Sequence, residues 1–180
     1  MKKKAYNISR IYRLLEPGPV VMVTTALRGK MNVMTMSWHT MMEFSPPLIG
    51  CIISNRNHTF DMLKATKECV IAIPPAGLVK KVVRVGSVSG RDTDKFAEIG
   101  LTPEAAARVK APLVAECFAN IECKVVDTAM MDKYNFFVLK AVRAWVDTAQ
   151  KRPKALHHSG KGIFASDGRK IKCPFRSSEP

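Results

Sequence analysis

Ser54, Arg56 and Thr59 place hydroxyls and a guanidinium within the run Ser54-Asn55-Arg56-Asn57-His58-Thr59, where an apolar stretch gives way to a helical pattern. Free amides at a helix start, together with those side chains, match a dianionic phosphate through charge-assisted hydrogen bonds. A polar capping loop with Arg56 in solvent is the other use of the same residues. A second run, Asn32-Val33-Met34-Thr35-Met36-Ser37-Trp38, is a strand with polar residues at its start and end. A flat conjugated ligand lying along it would be read by backbone amides and by Asn32, Thr35 and Ser37, with aliphatic groups on its apolar face. A half-buried strand explains this segment equally well. In the third run, Ser89-Gly90-Arg91-Asp92-Thr93-Asp94-Lys95-Phe96, Arg91 and Lys95 stand near a potential helix start, and a solvated loop is the ordinary expectation. No side chain is assigned as catalytic acid, base or nucleophile, and no metal-ligand spacing occurs.

The elements that must position these residues follow from periodicity. Residues 20–26 form a β-branched run, and Arg28-Gly29-Lys30 predicts a hairpin loop of three to five residues. The strand at 32–38 follows, with Val33, Thr35 and Ser37 on one face and Met34, Met36 and Trp38 on the other. Pro46-Pro47 breaks the chain, and 48–53 reads as an apolar strand covered on both faces. Asn55 or Asn57 caps a short helix through Phe60, Leu63 and Lys64. Another strand spans 68–73, and Val79, Val82, Val83 and Gly86 then recur at helical spacing. Residues 93–96 predict a helical turn, and Thr102-Pro103-Glu104 predicts another with proline at its first position. The alternating segments 117–127 and 134–147 predict an antiparallel hairpin around a polar turn. About six strands with short inserted helices amount to a β-rich α+β fold, a closed antiparallel barrel. No strand leads through a Gly-rich turn into a long helix, which argues against a doubly wound dinucleotide-binding domain.

With 180 residues, 47% of them apolar and 24% charged, the chain has the size and balance of one globular domain. Its net charge of +14 attracts anions, whether nucleic acid, an acidic partner or a phosphorylated cofactor. The basic residues are scattered, without a long basic helix, a zinc-finger spacing or a base-stacking strand, so nucleic acid rests on charge alone. The five cysteines are odd in number and lack a C-x-x-C, which predicts reduced thiols acting as small hydrophobes. Cys173, beside a proline in the basic tail, is the reactive candidate. No apolar run approaches the ~20 residues of a membrane span, and the start lacks a signal-peptide core, which predicts a cytoplasmic protein without a membrane partner. The expected divisions are an N-terminal extension (1–14), the barrel (15–149) and a basic tail (150–180) that packs on the barrel or on a neighbouring subunit.

A Val/Thr-rich strand, N-V-M-T-x-S-W, a proline-introduced strand ending in S-x-R-x-x-T, and S-G-x-x-x-D-K-F occur in that order. Together they resemble the flavin reductase-like family, flavoredoxins included, over roughly residues 15–147. The resemblance implies a six-stranded antiparallel FMN-binding split β-barrel that forms a homodimer, with one FMN per subunit near the interface. By similarity, Asn32, Val33, Met34, Thr35, Ser37 and Trp38 line the isoalloxazine, while Ser54, Arg56 and Thr59 hold the phosphate. Lys95 and Phe96 carry over as further contacts. Residues 156–162 resemble a histidine-and-glycine element found near the flavin in some members; two histidines are adjacent here, and His158 is assigned to it. The activity implied is an NAD(P)H-dependent flavin reductase, in which the flavin itself accepts hydride or electrons. The alternative is a flavoredoxin-like carrier between redox partner proteins. A cofactor-free barrel binding nucleic acid or an acidic protein stands third.

Overall fold

The computed structural model describes residues 19–150 and 153–168. The β-branched run becomes β1 (Val21–Leu27), which turns directly into β2 (Lys30–Met36). The loop is two residues, shorter than expected. Arg28 and Gly29 both take positive φ, 51° and 78°, and such a turn matches the strand twist well enough for Leu27 to pair with Lys30 at once.

The remaining elements are β3 (His39–Glu43), β4 (Leu48–Ile52), α1 (His58–Thr66), β5 (Glu68–Ile73), a 3-10 turn (Ala76–Leu78), α2 (Val79–Ser87) and α3 (Lys95–Ile99). After them come the two-residue strands β6 (Pro103–Glu104) and β7 (Leu113–Val114), then β8 (Ala119–Asp127), α4 (Met131–Tyr134), β9 (Phe136–Val146), β10 (Leu156–His158) and β11 (Phe164–Ser166). Seven strands make one antiparallel sheet in the order β2-β1-β5-β8-β9-β4-β3, and β10-β11 and β6-β7 are separate pairs. The fold is thus β-rich α+β, of split-barrel type, with one more main strand than the expected six. The additional strand is the edge strand β3, whose residues after His39 are all exposed, so no core-facing alternation marked it.

Residues 102–104 do not begin a helix. Pro103 and Glu104 pair with β7, and the Glu116 carboxylate accepts hydrogen bonds from both the amide and the hydroxyl of Thr102, each at 3.1 Å. That anchor holds extended the residues that a first helical turn would need.

The sheet has a core on each face. Val21, Val23, Met36, Ile49, Cys51 and Leu139 face the interior, which α1 closes with Phe60 and Leu63. Phe60 meets Phe137 edge to face, with ring centroids 5.3 Å apart. On the other face, Met22 and Val33 pack against Val82 and Val85 of α2 and Phe96 of α3. β4 departs from the expectation of two covered faces: Ile49 and Cys51 are buried, but Ile52 is exposed and Leu48 half-buried.

Cys51, Cys69, Cys117 and Cys123 are all free and buried. Burial, helped by Cys123 beside Cys51 and by Glu116 beside Cys117, pushes the Cys51 and Cys117 thiols up to about 12, so neither supplies a thiolate near neutrality. Cys173 lies outside the described residues, as do the N-terminal extension (1–14), its boundary and the first residues of the expected barrel up to position 18. Of the tail, residues 153–168 form a hairpin docked on the start of β1: the Val20 amide donates to the Leu156 carbonyl, and the Ala76 amide donates to Lys154. Among the described residues, no helix is long and apolar enough to cross a membrane.

Glu122 on β8 is fully buried yet satisfied. Burial pushes its carboxyl up, but hydrogen bonds from Trp145 Nε1 (2.7 Å) and from the amides of Ala107, Arg108 and Val109 outweigh this and hold it below the usual carboxylate range. The carboxylate thereby pins the irregular segment 105–110 to the sheet. Because its folded pKa lies below the ordinary value of 4.5, its stabilisation is complete above that pH and disappears as pH falls through the folded value. Glu122→Ala, which strands several donors, should cost about 3 kcal/mol in urea unfolding. The stability gap between the wild type and Glu122→Gln should narrow below about pH 4.5.

Candidate functional site

β2 ends the sheet, so the outward amides and carbonyls of this strand have no strand partner. Along that edge lies a cleft of about 270 Å³. Asn32, Met34 and Thr35 line it from β2; Arg56, Asn57, His58 and Thr59 from the loop into α1 and its first residues; residues 85–90 from the end of α2 and the loop after it; and Lys95 from α3. Three runs distant in sequence therefore meet in one place.

Local chemistry explains how the walls are held. Asn57 stands at the N-cap of α1 in extended backbone, but its side chain makes no capping bond; its carbonyl accepts from the Phe60 amide at 3.0 Å, which leaves the amides of His58 and Thr59 at the helix start for other acceptors. Ser54 stabilises the approach instead, its Oγ accepting from the Arg56 amide at 3.3 Å and its carbonyl from the Asn57 amide at 2.9 Å. On the opposite wall, Thr35 Oγ1 donates to the Val82 carbonyl at 2.7 Å and ties α2 to β2.

Asn32 is the most informative residue. It is 3% exposed, and its Nδ2 donates to Thr59 Oγ1 at 2.8 Å. Its Oδ1, also buried, has no partner among the described residues. A buried acceptor left unpaired is costly, so this oxygen calls for a donor from a bound molecule. Gly90 covers it closely: a Cβ built there would lie 1.9 Å from Oδ1 and 2.7 Å from Cγ. Lys95 is 5% exposed, its Nζ donates to the Val85 carbonyl at 2.8 Å, and burial lowers its pKa. An ammonium has three donors, so two remain for an anionic or carbonyl partner. The cleft can thus hold an anionic group beside Arg56 and the α1 amides, and a flat ring along β2. Among the described residues no cluster of His, Cys, Asp and Glu is placed to hold a metal ion.

Of the residues singled out in the sequence, Asn32, Met34, Thr35, Arg56, Thr59 and Lys95 line the cleft. Val33 and Phe96 do not: strand alternation turns Val33 into the core under α2, and Phe96 packs in that same cluster. Ser54 supports the turn from just outside the lining. Ser37 and Trp38 lie past the end of β2, where the Trp38 carbonyl accepts from Ile52 and its side chain is 52% exposed. His158 stands on β10 with its ring 5.0 Å from that of Phe164, outside the lining of the cleft. Asn57, His58, Ser89 and Gly90, which lie within the runs singled out but were given no contact, and residues 85–88, which were not singled out for chemistry, also line the cleft. Gly90 had a signal, since serine followed by glycine marks a turn, but Val85 is indistinguishable from an ordinary core valine.

Comparison with known proteins agrees with this architecture. An uncharacterized protein of Archaeoglobus fulgidus is 37% identical over 109 residues, which span 61% of this chain and 62% of that relative. One from Pyrococcus abyssi is 32% identical over 131 residues, 73% of this chain and 75% of that one. Among solved structures, the FMN-binding domain of a flavin reductases-like enzyme from Shewanella baltica superposes with a TM-score of 0.82 at 26% identity, covering 95% of this chain and 97% of that one. The flavoredoxin of Desulfovibrio vulgaris shares the fold at a TM-score of 0.85 and 24% identity, over 99% and 100% of the two chains. The family model for the flavin reductase like domain matches residues 13–163, and on that match the chain belongs to the flavin reductase-like family.

Proposed function

We propose that this chain binds FMN in the β2 cleft and acts as an NAD(P)H-dependent flavin reductase. The observation that carries the reading is the orphaned Oδ1 of Asn32, buried in a cleft that also gathers Arg56 and Lys95. FMN fits these residues: it offers a ring N–H to an acceptor, ring oxygens to amides and ammonium groups, and a dianionic phosphate to a guanidinium at a helix start. The FMN named for the Shewanella baltica protein supports the same ligand. When bound, FMN supplies the hydride- and electron-accepting chemistry. The chain's own work is to bind and orient. Arg56, Thr59 and the α1 amides hold the anionic end, the β2 edge and Asn32 read the ring, and Met34 lines its path. Lys95, poorly solvated in its buried site, favours negative charge beside it.

We further propose a homodimer. Its support is the exposed apolar strip of Trp38, Met41, Met42 and Phe44 at the β3 edge, Phe44 being 76% exposed. The four cysteines among the described residues, all free, suit a reducing compartment such as the cytoplasm.

The test is the visible absorption spectrum of the purified protein with added FMN, followed by anaerobic NADH or NADPH. Binding with nucleotide-dependent bleaching is expected. Binding with bleaching by dithionite alone would instead assign the flavoredoxin-like carrier, and failure to bind any flavin would sink both. Sedimentation of the loaded protein as a monomer would refute the dimer.

A further inference from the structure

We propose that Arg91 latches residues 87–92 across the cleft as a strap, and that this latch sets how fast bound FMN leaves; the inference rests on the FMN reading above. Arg91 spends its guanidinium on the first turn of α1 and the loop that leads into it: Nη2 donates to Asp61 Oδ2 at 2.7 Å, and Nη1 donates to the Arg56 carbonyl at 3.0 Å. The second anchor is the backbone of the very residue whose side chain lines the anionic end of the cleft. The strap's own turn aims Arg91 there, because Ser89 Oγ accepts from the Arg91 amide at 3.2 Å and the Ser89 carbonyl accepts from the Asp92 amide at 3.3 Å. One residue earlier, Gly90 rests on Asn32 and beside His58. The strap thus joins the phosphate end of the cleft to the ring end through two adjacent residues.

Magnitudes separate a latch from a structural tie. The Arg91 and Asp61 side chains are 45% and 58% exposed, and an exposed ion pair contributes little to folding. Removing it leaves the barrel intact. It should, however, release a wall of the cleft, since the planar fork holds two acceptors at once and water replaces neither geometry. Lysine, a point charge, can hold only one of them.

The experiment follows FMN release by recovery of flavin fluorescence after dilution of the loaded protein. Arg91→Ala should release FMN a few-fold faster, the scale of losing an exposed ion pair and one hydrogen bond, with Arg91→Lys in between and the melting temperature little changed. The preference for FMN over riboflavin should persist, because the Arg56 side chain remains. An unchanged release rate would overturn the latch. So would loss of the FMN preference, which would make Arg91 a direct phosphate ligand rather than a positioning residue. In the flavin-free protein, amide hydrogen exchange across 87–92 should quicken in Arg91→Ala, and unaltered exchange there would refute the strap. If the wild type binds no flavin at all, the FMN reading fails, while the exchange comparison still decides whether the strap exists.

Discussion

Gly90→Ala should lower FMN affinity by about one to two orders of magnitude, the scale of losing one or two hydrogen bonds to a buried polar group, while the protein stays folded. The backbone of Gly90 does not lie in the left-handed region, so alanine is acceptable there on conformational grounds. What it cannot do is avoid Asn32. The added methyl would sit 1.9 Å from Oδ1, and Asn32 is 3% exposed with its amide nitrogen tied to Thr59. Either the Asn32 amide turns and breaks that bond, or the strap lifts from the cleft. Both outcomes displace the acceptor offered to the ligand. Calorimetric titration with FMN measures the loss, and the double variant Gly90→Ala/Asn32→Ala should be little worse than either single change, because both act through one amide. Wild-type affinity in Gly90→Ala would remove Asn32 from the cofactor's contacts.

The main sheet was legible because its strands bury one face or both. Val21 and Val23 against Met22, and Met34 and Met36 against Val33, are the alternation that a pleated strand imposes when different cores lie on its two sides. Where burial stops, the pattern stops: His39–Glu43 is an edge strand whose methionines face outward, and it left no periodic trace. The proline of residues 102–104 pointed to a helix start because local propensity knows nothing of Glu116, 14 positions on, which binds Thr102 through a carboxylate. In the same way, the two-residue turn at Arg28 and Gly29 depends on a non-glycine residue accepting φ of 51°, a cost that the long β1-β2 ladder outweighs.

The candidate site was most legible in its polar members. Asn32, Thr59, Arg56 and Lys95 stand out as polar residues where a helix start or a strand end would gather them. Val33 and Met34 are chemically alike, and only the alternation of the pleated strand sends one toward α2 and the other to the cleft. Gly90 and Arg91 gain their importance from distances to Asn32, Arg56 and Asp61 that no spacing rule encodes.

Arg56→Ala should weaken FMN by about one to two orders of magnitude and leave riboflavin, which lacks the phosphate, nearly unaffected. Arg56 is exposed at the entry to α1, and its guanidinium holds no partner among the described residues, so the side chain is available to an anion without breaking any existing contact. The Arg56 carbonyl, which anchors Arg91, survives any substitution of the side chain. Folding should therefore change by less than about 0.5 kcal/mol, as for an exposed side chain that makes no contact of its own among the described residues. Arg56→Lys keeps the charge but loses the fork, and should fall between the wild type and alanine. Added salt should weaken wild-type FMN binding more than that of Arg56→Ala, because screening acts on a charge pair that the variant lacks. Fluorescence-quenching titrations with both flavins decide the matter. An equal loss for FMN and riboflavin would mean that Arg56 shapes the cleft rather than reading the phosphate, and an unchanged FMN affinity would return it to solvent.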